Sequence, residues 1–423
     1  MKSRKIRRCA VVFWMLILPV GGMSQATDER VITVQDAIQI AMQQNPELKY
    51  AEEQVQVQRS LIGPSWGIES PEVYYFREGM DDGVFSEQRW GVSQSVAFPL
   101  TGYLQQRKAS VDLDVAQLEA DFLRIRIRAD VKRAYTNVVY TIKKVDLARN
   151  ELQLAEELRE IASARLDVGE STELDLIQSD IQLNEARNRL LQAREMHNSA
   201  RYELFRVMGT EPGGQEYGIS YADTLVWVDI ALSQEEVLKE LSESPEMLIA
   251  RKISESAKQK ITTEKSRYLP GLRFDYYYQD FGSGYDFTGF EVGVSIPLWF
   301  GVNESRRVMQ ARSEFRQTEW NINKTHLRLN ERAENAWHSY ITSREAILSY
   351  KNFVQSRAST LLELTREGYR AGELDLLRVL EAQRTYLESE QQYYESLKNY
   401  YEQLIELEKY IPKELVFTGG GSE

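Results

Sequence analysis

The chain has 423 residues, 42% of them hydrophobic and 27% charged, a formal net charge of −12 and one cysteine. Mean hydropathy is −0.47, and beyond the N-terminal segment no stretch is continuously apolar for the roughly 18 residues that a membrane-crossing helix needs. A place in a membrane would therefore have to be taken by β-strands, since only helices and closed barrels satisfy their backbone groups in lipid, and the acidity makes nucleic acid an improbable partner.

Residues 1–26 read as a secretory signal peptide: the basic run Lys2, Arg4, Lys5, Arg7 and Arg8, the apolar stretch Ala10 to Val20, and the small-x-small site Ser24-Gln25-Ala26. The sole cysteine, Cys9, precedes the apolar run, so it is no lipidation site and leaves with the signal. The mature chain then has no disulfide, thiol nucleophile or Cys-ligated metal. Losing five basic and no acidic residues takes the net charge from −12 to −17. That charge fits either a cation-attracting passage or solvated, Glu-rich helix faces.

The rest is one plan written twice. Asn45-Pro46-Glu47-Leu48 starts a helical stretch after a short amphipathic one, and Ser244-Pro245-Glu246-Met247 does the same; Val96-Ala97-Phe98-Pro99-Leu100 returns as Val294-Ser295-Ile296-Pro297-Leu298, and Val168-Gly169-Glu170 as Ala371-Gly372-Glu373. The first copy, 27–209, predicts strands at about Glu72–Gly79 and Gln88–Phe98 and a helical hairpin over 102–208. A linker follows over 210–232. The second copy, 233–412, predicts strands at about Gly271–Gln279 and Thr288–Ile296 and a hairpin over 302–410, with a flexible tail over 413–423. Met80-Asp81-Asp82-Gly83 and Phe281 to Asp286 have turn chemistry between the strands.

The later strand of each pair alternates. Trp90, Val92, Val96 and Phe98 share one face, interrupted by Gln94, against Gly91, Ser93, Ser95 and Ala97; Phe290, Val292, Val294 and Ile296 oppose Glu291, Gly293 and Ser295. Period two with a large apolar and a small or polar face is the pattern of a barrel strand with lipid outside and water inside, although a half-buried soluble strand shares it. Tyr74, Tyr75, Phe76, Tyr276, Tyr277 and Tyr278, with Phe281, Tyr285 and Phe287 near a hairpin tip, fit an interfacial aromatic girdle. Four strands per chain cannot close a transmembrane barrel, whose smallest examples have about eight, so strands must come from other chains.

Gly102 to Leu166 and Asn303 to Arg366 contain neither proline nor interior glycine, and each predicts one helix of about 95 Å at 1.5 Å per residue. Apolar positions run through Val111, Val115, Leu118, Phe122, Ile125 and Ala129, then in a second register through Val131, Tyr135, Val138, Ile142 and Val145. The other copy has Val308, Ala311, Phe315, Thr318 and Ile322, continued with a slip through Leu329, Ala333, Ala336, Tyr340, Ile347, Tyr350 and Val354. This spacing predicts coiled-coil packing against neighbouring helices. A tunnel wall and a simple rod both satisfy it.

Two halves, each with two strands feeding a very long helix that returns through a Gly-marked turn, resemble the TolC-like outer-membrane efflux protein family. The most specific words are Asn45-Pro46-Glu47-Leu48, the strand endings at Pro99 and Pro297, and Ala371-Gly372-Glu373 leading into Val379-Leu380-Glu381-Ala382-Gln383. The resemblance spans about Val31 to Pro412, and the tight length without a lipidation cysteine looks closer to the metal-exporting CzcC-like branch. It implies a mixed α and transmembrane-β fold. In a homotrimer, four strands per chain close one barrel in outer-membrane lipid, and a periplasmic α-helical barrel continues it. Thr210 to Leu232, with Gly213-Gly214, would form a belt around its middle. An inner-membrane pump and a periplasmic adaptor would complete a passive path, the adaptor meeting the turns at Gly169 and Gly372.

The resemblance also implies a gate at the periplasmic end. Counting from each turn glycine, Asp175 matches the family's acid at plus six, and Tyr369 its tyrosine at minus three. Where the second copy often has acids at plus six and plus nine, this chain has Arg378 and Glu381, so Arg378 and Glu381 could pair and neutralise an anionic ring. Asp175 is expected to bond Tyr369 or pair with Arg378. The rival readings are a periplasmic coiled-coil adaptor, which would show one hairpin flanked by compact β-domains, and a secreted hydrolase. For the latter, His197, His326 and His338 lack a clustered partner motif, and Gly282-Ser283-Gly284 is no nucleophile elbow. No cofactor or catalytic residue is expected.

Overall fold

Each half of the chain enters its first helices through side-chain caps. A computed structural model describes residues 30–79, 87–211, 219–282, 284–296, 298, 301–410 and 414–416. The expected signal peptide, the turn at Met80–Gly83, Gly213-Gly214, Ser283, Pro297 and residues 417–423 lie outside the described residues. Thr33 opens α1 (Val34–Gln44) with a capping box to Asp36, which satisfies two otherwise orphaned backbone donors. Asn45 ends α1 and starts α2 (Pro46–Leu61), accepting from the Glu47 and Leu48 amides, while its Nδ2 donates to the Val207 carbonyl at 2.8 Å. In the second half Ser233 builds a capping box for α5 (Gln234–Glu240), and Ser244 precedes α6 (Pro245–Ser266).

Each entry is followed by two strands. β2 (Glu72–Glu78), β3 (Glu87–Val96), β5 (Gly271–Asp280) and β6 (Asp286–Ser295) form one antiparallel sheet in the order β2-β3-β5-β6. The junction between the halves is thus a strand pair, with Val92 opposite Tyr276 and Val96 opposite Leu272. Both apolar rows are shorter than expected. β3 ends at Val96, so Phe98 is the N-cap residue of α3 rather than a strand residue, and β6 ends at Ser295, leaving Ile296 beyond it. The reason is the proline that follows: Pro99 fixes φ for a first helical turn and removes a ladder donor.

From the sheet the chain runs into α3 (Pro99–Asp167), which returns as α4 (Glu173–Met208), and later into α7 (Asn303–Ser349), α8 (Gln355–Arg370) and the returning α9 (Leu376–Leu407). Val111, Ala129, Val131, Tyr135, Val138 and Val145 are buried in α3, and Val308, Ala311, Leu329, Ala333, Ala336, Tyr340 and Ile347 in α7. Each large side chain among these contributes about 1.5–3 kcal/mol. The helix expected to run unbroken from Asn303 to Arg366 is interrupted by a π-helical turn over Tyr350–Val354. One extra residue there rotates the face that follows. Tyr350 stacks on Tyr393 at 4.4 Å and donates a hydrogen bond to Glu390.

Midway along the helices, the segment after β4 (Ile219–Tyr221) and the strand beside β4 are fastened by tyrosines. β4 pairs in parallel with β1 (Arg30–Ile32). The Tyr135 hydroxyl donates to the Ile32 carbonyl at 2.9 Å, Tyr400 to Val228 at 2.9 Å and Tyr401 to Val226 at 2.6 Å. Arg344 grips Asp229 through two 2.7 Å bonds. This gives irregular backbone the partners that it cannot find in a ladder, and the largest buried cluster lies here, joining α1, α3, α4, α7 and α9. The tail expected to be flexible from 413 is fastened over 414–416. Leu415 and Val416 are buried and donate their amides to Glu408, while the fully buried Lys132 bonds Glu408 at 2.8 Å and the Val416 carbonyl at 3.0 Å.

Candidate functional site

Two regions carry the chemistry expected from the sequence: the sheet and the far ends of the helical hairpins. Across the sheet, alternation separates two faces. Val73, Trp90, Val92, Tyr276, Phe290, Val292 and Val294 are all at least 43% exposed, on the face that also holds half-buried Val96. Such a continuous apolar surface has no reason to face water. The opposite face is polar and internally bonded. Arg89 lies 4.4 Å over the Tyr277 ring and donates to Gln279 at 3.0 Å, while Arg273 reaches Asp275 at 3.0 Å and Glu291 at 3.7 Å.

The aromatic girdle is only partly formed as expected. Tyr74 and Tyr277 point to the polar face, each lying over the glycine opposite it, Gly91 and Gly289. A Cβ on either glycine would fall 2.3 Å from the ring, so these two glycines make room for the tyrosines. Tyr75, Tyr276 and Tyr278 stay on the exposed apolar face, because neighbours in a strand point oppositely.

At the other end of the molecule both hairpins turn at a glycine with positive φ: +76° at Gly169 and +80° at Gly372. Glu170 N bonds the Arg165 carbonyl at 2.8 Å and Glu373 N bonds Gly368 at 2.8 Å, closing the helix ends as left-handed caps. Thr172 then starts α4 through a capping box with Asp175, and Asp375 starts α9 by accepting the Arg378 amide at 3.0 Å.

The four expected gate residues sit around these turns, with different partners from those expected. Asp175 accepts from the Ser171 hydroxyl at 2.6 Å and from the Thr172 amide at 3.5 Å. Within the chain it neither bonds Tyr369 nor pairs with Arg378, because capping its own helix orients it. Arg378 lies instead 3.6 Å from Glu381, both well exposed on α9. Tyr369 is 1% exposed, packed with Leu158, Leu376 and Val379. Its hydroxyl has Ser171 and Asp175 nearby but forms no hydrogen bond of ordinary geometry, and burial, then the Asp175 charge, pushes its pKa up.

The residue that joins the two turns is Arg165, which the sequence reading passed over. From the last turn of α3 its guanidinium donates to the Tyr369 carbonyl at 2.8 Å and to the Glu170 carbonyl at 3.2 Å, and stacks 4.8 Å from the Tyr369 ring. Glu157 on α3 pairs with Arg366 on α8 just above it. The only available signal was a basic residue in a helix's last turn, which is too common to single out. The three histidines lie apart: His197 contacts Thr141, His326 contacts Asn330, and His338 lies 3.8 Å from Glu334. Among the described residues no helix is long and apolar enough to cross a membrane.

A sheet with one apolar, exposed face and one polar face is carried on long paired helices. The chain belongs to the outer membrane efflux protein family, whose model matches residues 37–210 and 238–411. It is 24% identical over 277 residues to the alkaline protease secretion protein AprF of Pseudomonas aeruginosa, a match covering 60% of this chain and 55% of that one. It is 25% identical over 305 residues to the outer membrane protein TolC of Vibrio cholerae, covering 66% and 68%. The solved structure of the outer membrane protein VceC from Vibrio cholerae shares the fold at a TM-score of 0.77 and 15% identity, over 89% of this chain and 95% of that chain. The match thus spans little more than half of AprF. Family membership weighs against the adaptor reading, and these relatives do not single out the metal-exporting branch.

Proposed function

We propose that this chain is the outer-membrane channel subunit of a tripartite export system, conducting substrates passively from an inner-membrane pump and a periplasmic adaptor to the cell exterior. One observation carries the reading: a four-stranded sheet, apolar and exposed on one face and charged on the other, continues directly into helical hairpins. Four strands are too few for a barrel, so the chain works as a homotrimer of twelve strands, its apolar face in outer-membrane lipid and its helices in the periplasm. Such a conduit is no enzyme and needs no cofactor. Selection of metal ion, drug or protein cargo falls to the pump.

The adaptor docks on the turns at Gly169 and Gly372, a reading supported by their position at the free ends of both hairpins. The gate is formed there by Asp175, Tyr369, Arg378 and Glu381, with Arg378 offsetting the Glu381 charge in each subunit. Two measurements test this. The mature protein should fractionate with the outer membrane and run as a trimer in mild detergent; a soluble periplasmic monomer overturns the proposal. Crosslinks to the adaptor should map to residues 166–174 and 369–377, and crosslinks confined to residues near Trp90 or Gly284 overturn the docking assignment.

A further inference from the structure

On the polar face of the sheet one transverse row alternates tyrosine with glycine. Tyr74 on β2 lies opposite Gly91 on β3, Gly91 opposite Tyr277 on β5, and Tyr277 opposite Gly289 on β6. We propose that Gly91 and Gly289 are seats that hold these two rings flat against the wall, and that the seats set the largest cargo the barrel can pass. The proposal rests on the channel reading, which makes this face the lumen, and adds to it the residues that determine cargo size.

The rings are laid across the strands. A Cβ on Gly91 would fall 2.3 Å from Cζ and 2.4 Å from the hydroxyl oxygen of Tyr74, and one on Gly289 would fall 2.3 Å from Cζ and 2.6 Å from the hydroxyl oxygen of Tyr277. It is thus the far end of each ring, not its root, that rests on the glycine of the next strand. Gly91 has a tyrosine on either side, yet the atoms nearest its missing side chain all belong to Tyr74, and Tyr277 leans the other way onto Gly289. Each ring therefore has its own seat. The Arg89 guanidinium holds Tyr277 from the adjoining row, 4.4 Å from the ring centre, while donating to Gln279 at 3.0 Å.

Glycine weakens a strand and marks a place where another group comes close, and a covering aromatic ring offsets that loss. The contact that covers the glycine also clears the passage. With a methyl group in the seat the ring must leave it, since 2.3 Å is far inside van der Waals contact at about 3.5–4.0 Å. For Tyr277 the other directions along the wall are taken. Tyr74 covers Gly91, and Asp275 and Gln279, the same-face neighbours on β5, are themselves buried. Rotation about χ1 then carries the ring off the wall and into the passage. Ions still pass beside it, whereas bulky cargo meets a narrowed bore.

Graded thiol reagents on whole cells measure this bore without involving the periplasmic gate. Ser95→Cys, the reporter, lies on the same face and nearer the helices than the tyrosine row, and the sole native cysteine, Cys9, falls in the expected signal peptide. The probes are membrane-impermeant maleimides carrying polyethylene glycol chains of increasing length, with labelling read as a gel shift of the chain. Adding Gly289→Ala or Gly91→Ala should abolish labelling by the longest reagents that reach the parent and spare the shortest. Adding Tyr277→Ala to Gly289→Ala, or Tyr74→Ala to Gly91→Ala, should restore it. An assembled glycine variant that keeps the parent's size limit overturns the seats but leaves the channel reading standing. If neither glycine variant assembles, Tyr74→Ala with Tyr277→Ala decides. Flat rings narrow the bore by little more than their thickness, so the limit should rise by one reagent step at most, and a larger rise overturns the proposal. A parent that no reagent labels shows that this face is no lumen, which overturns the channel reading and the seats with it.

Discussion

Arg165 gives the sharpest test of how the two hairpin ends are held together. Removing its side chain deletes hydrogen bonds to two carbonyls on different hairpins, at 2.8 and 3.2 Å, and a guanidinium 4.8 Å from the Tyr369 ring. A hydrogen bond from a charged donor is worth about 1.5–3 kcal/mol when sheltered, less when half exposed as here, and the stacking adds about 0.5–1 kcal/mol. Arg165→Ala should therefore cost about 2–4 kcal/mol per subunit, of which the lower figure changes an equilibrium about 30-fold. Tyr369→Phe removes only a hydroxyl that has no well-formed hydrogen bond and keeps the ring under Arg165, so it should do far less. Purified channels in planar bilayers should show conductance rising in the order wild type, Tyr369→Phe, Arg165→Lys, Arg165→Ala. An open Tyr369→Phe channel beside a closed Arg165→Ala channel would refute the assignment of the clamp to Arg165.

Val92→Arg or Val294→Arg should impair outer-membrane assembly more than Ser93→Arg or Ser295→Arg, since a charge facing lipid costs roughly 2–4 kcal/mol at mid-bilayer; equal assembly on both faces contradicts the alternation. Lys132→Met leaves the Glu408 carboxylate without its buried partner, a change expected to cost about 3–5 kcal/mol and visible as a lowered melting temperature, which Lys132→Met with Glu408→Gln should partly restore. Burial, then Arg201 and Arg149, hold the His197 pKa below its usual value. The neutral ring is the folded form, so stability should be fully present above the ordinary imidazole range and fall as pH drops through it. His197→Gln should flatten that part of a melting-temperature profile, and an unchanged slope shows that His197 does not titrate with unfolding. Glu381→Gln should weaken any cation preference of the channel, read from reversal potentials in a salt gradient, and an unaltered potential removes Glu381 from the passage.

Much of the architecture was legible in residue order because its signals are local. Period-two alternation separates Val92 from Ser93 whatever the strand touches, and the seam from Val308 to Tyr340 follows from helical spacing alone. Caps at Asn45 and turn glycines at Gly169 and Gly372 announce themselves within four residues. What the sequence left open was decided by contacts between distant residues. That Tyr74 lies over Gly91 and Tyr277 over Gly289 depends on which strand residue falls opposite, and so on register. The π-helical turn at Tyr350 depends on how neighbouring segments pack. The motif spacing shared with the family suggests Tyr369 or Arg378 as a partner for Asp175, but its nearer claim is the amide and hydroxyl at the start of its own helix. Arg165 and Tyr369 stand 204 residues apart. No periodicity links them, because a side chain reaching another hairpin's carbonyl leaves no pattern along the chain; only the antiparallel return of both hairpins brings the two ends together.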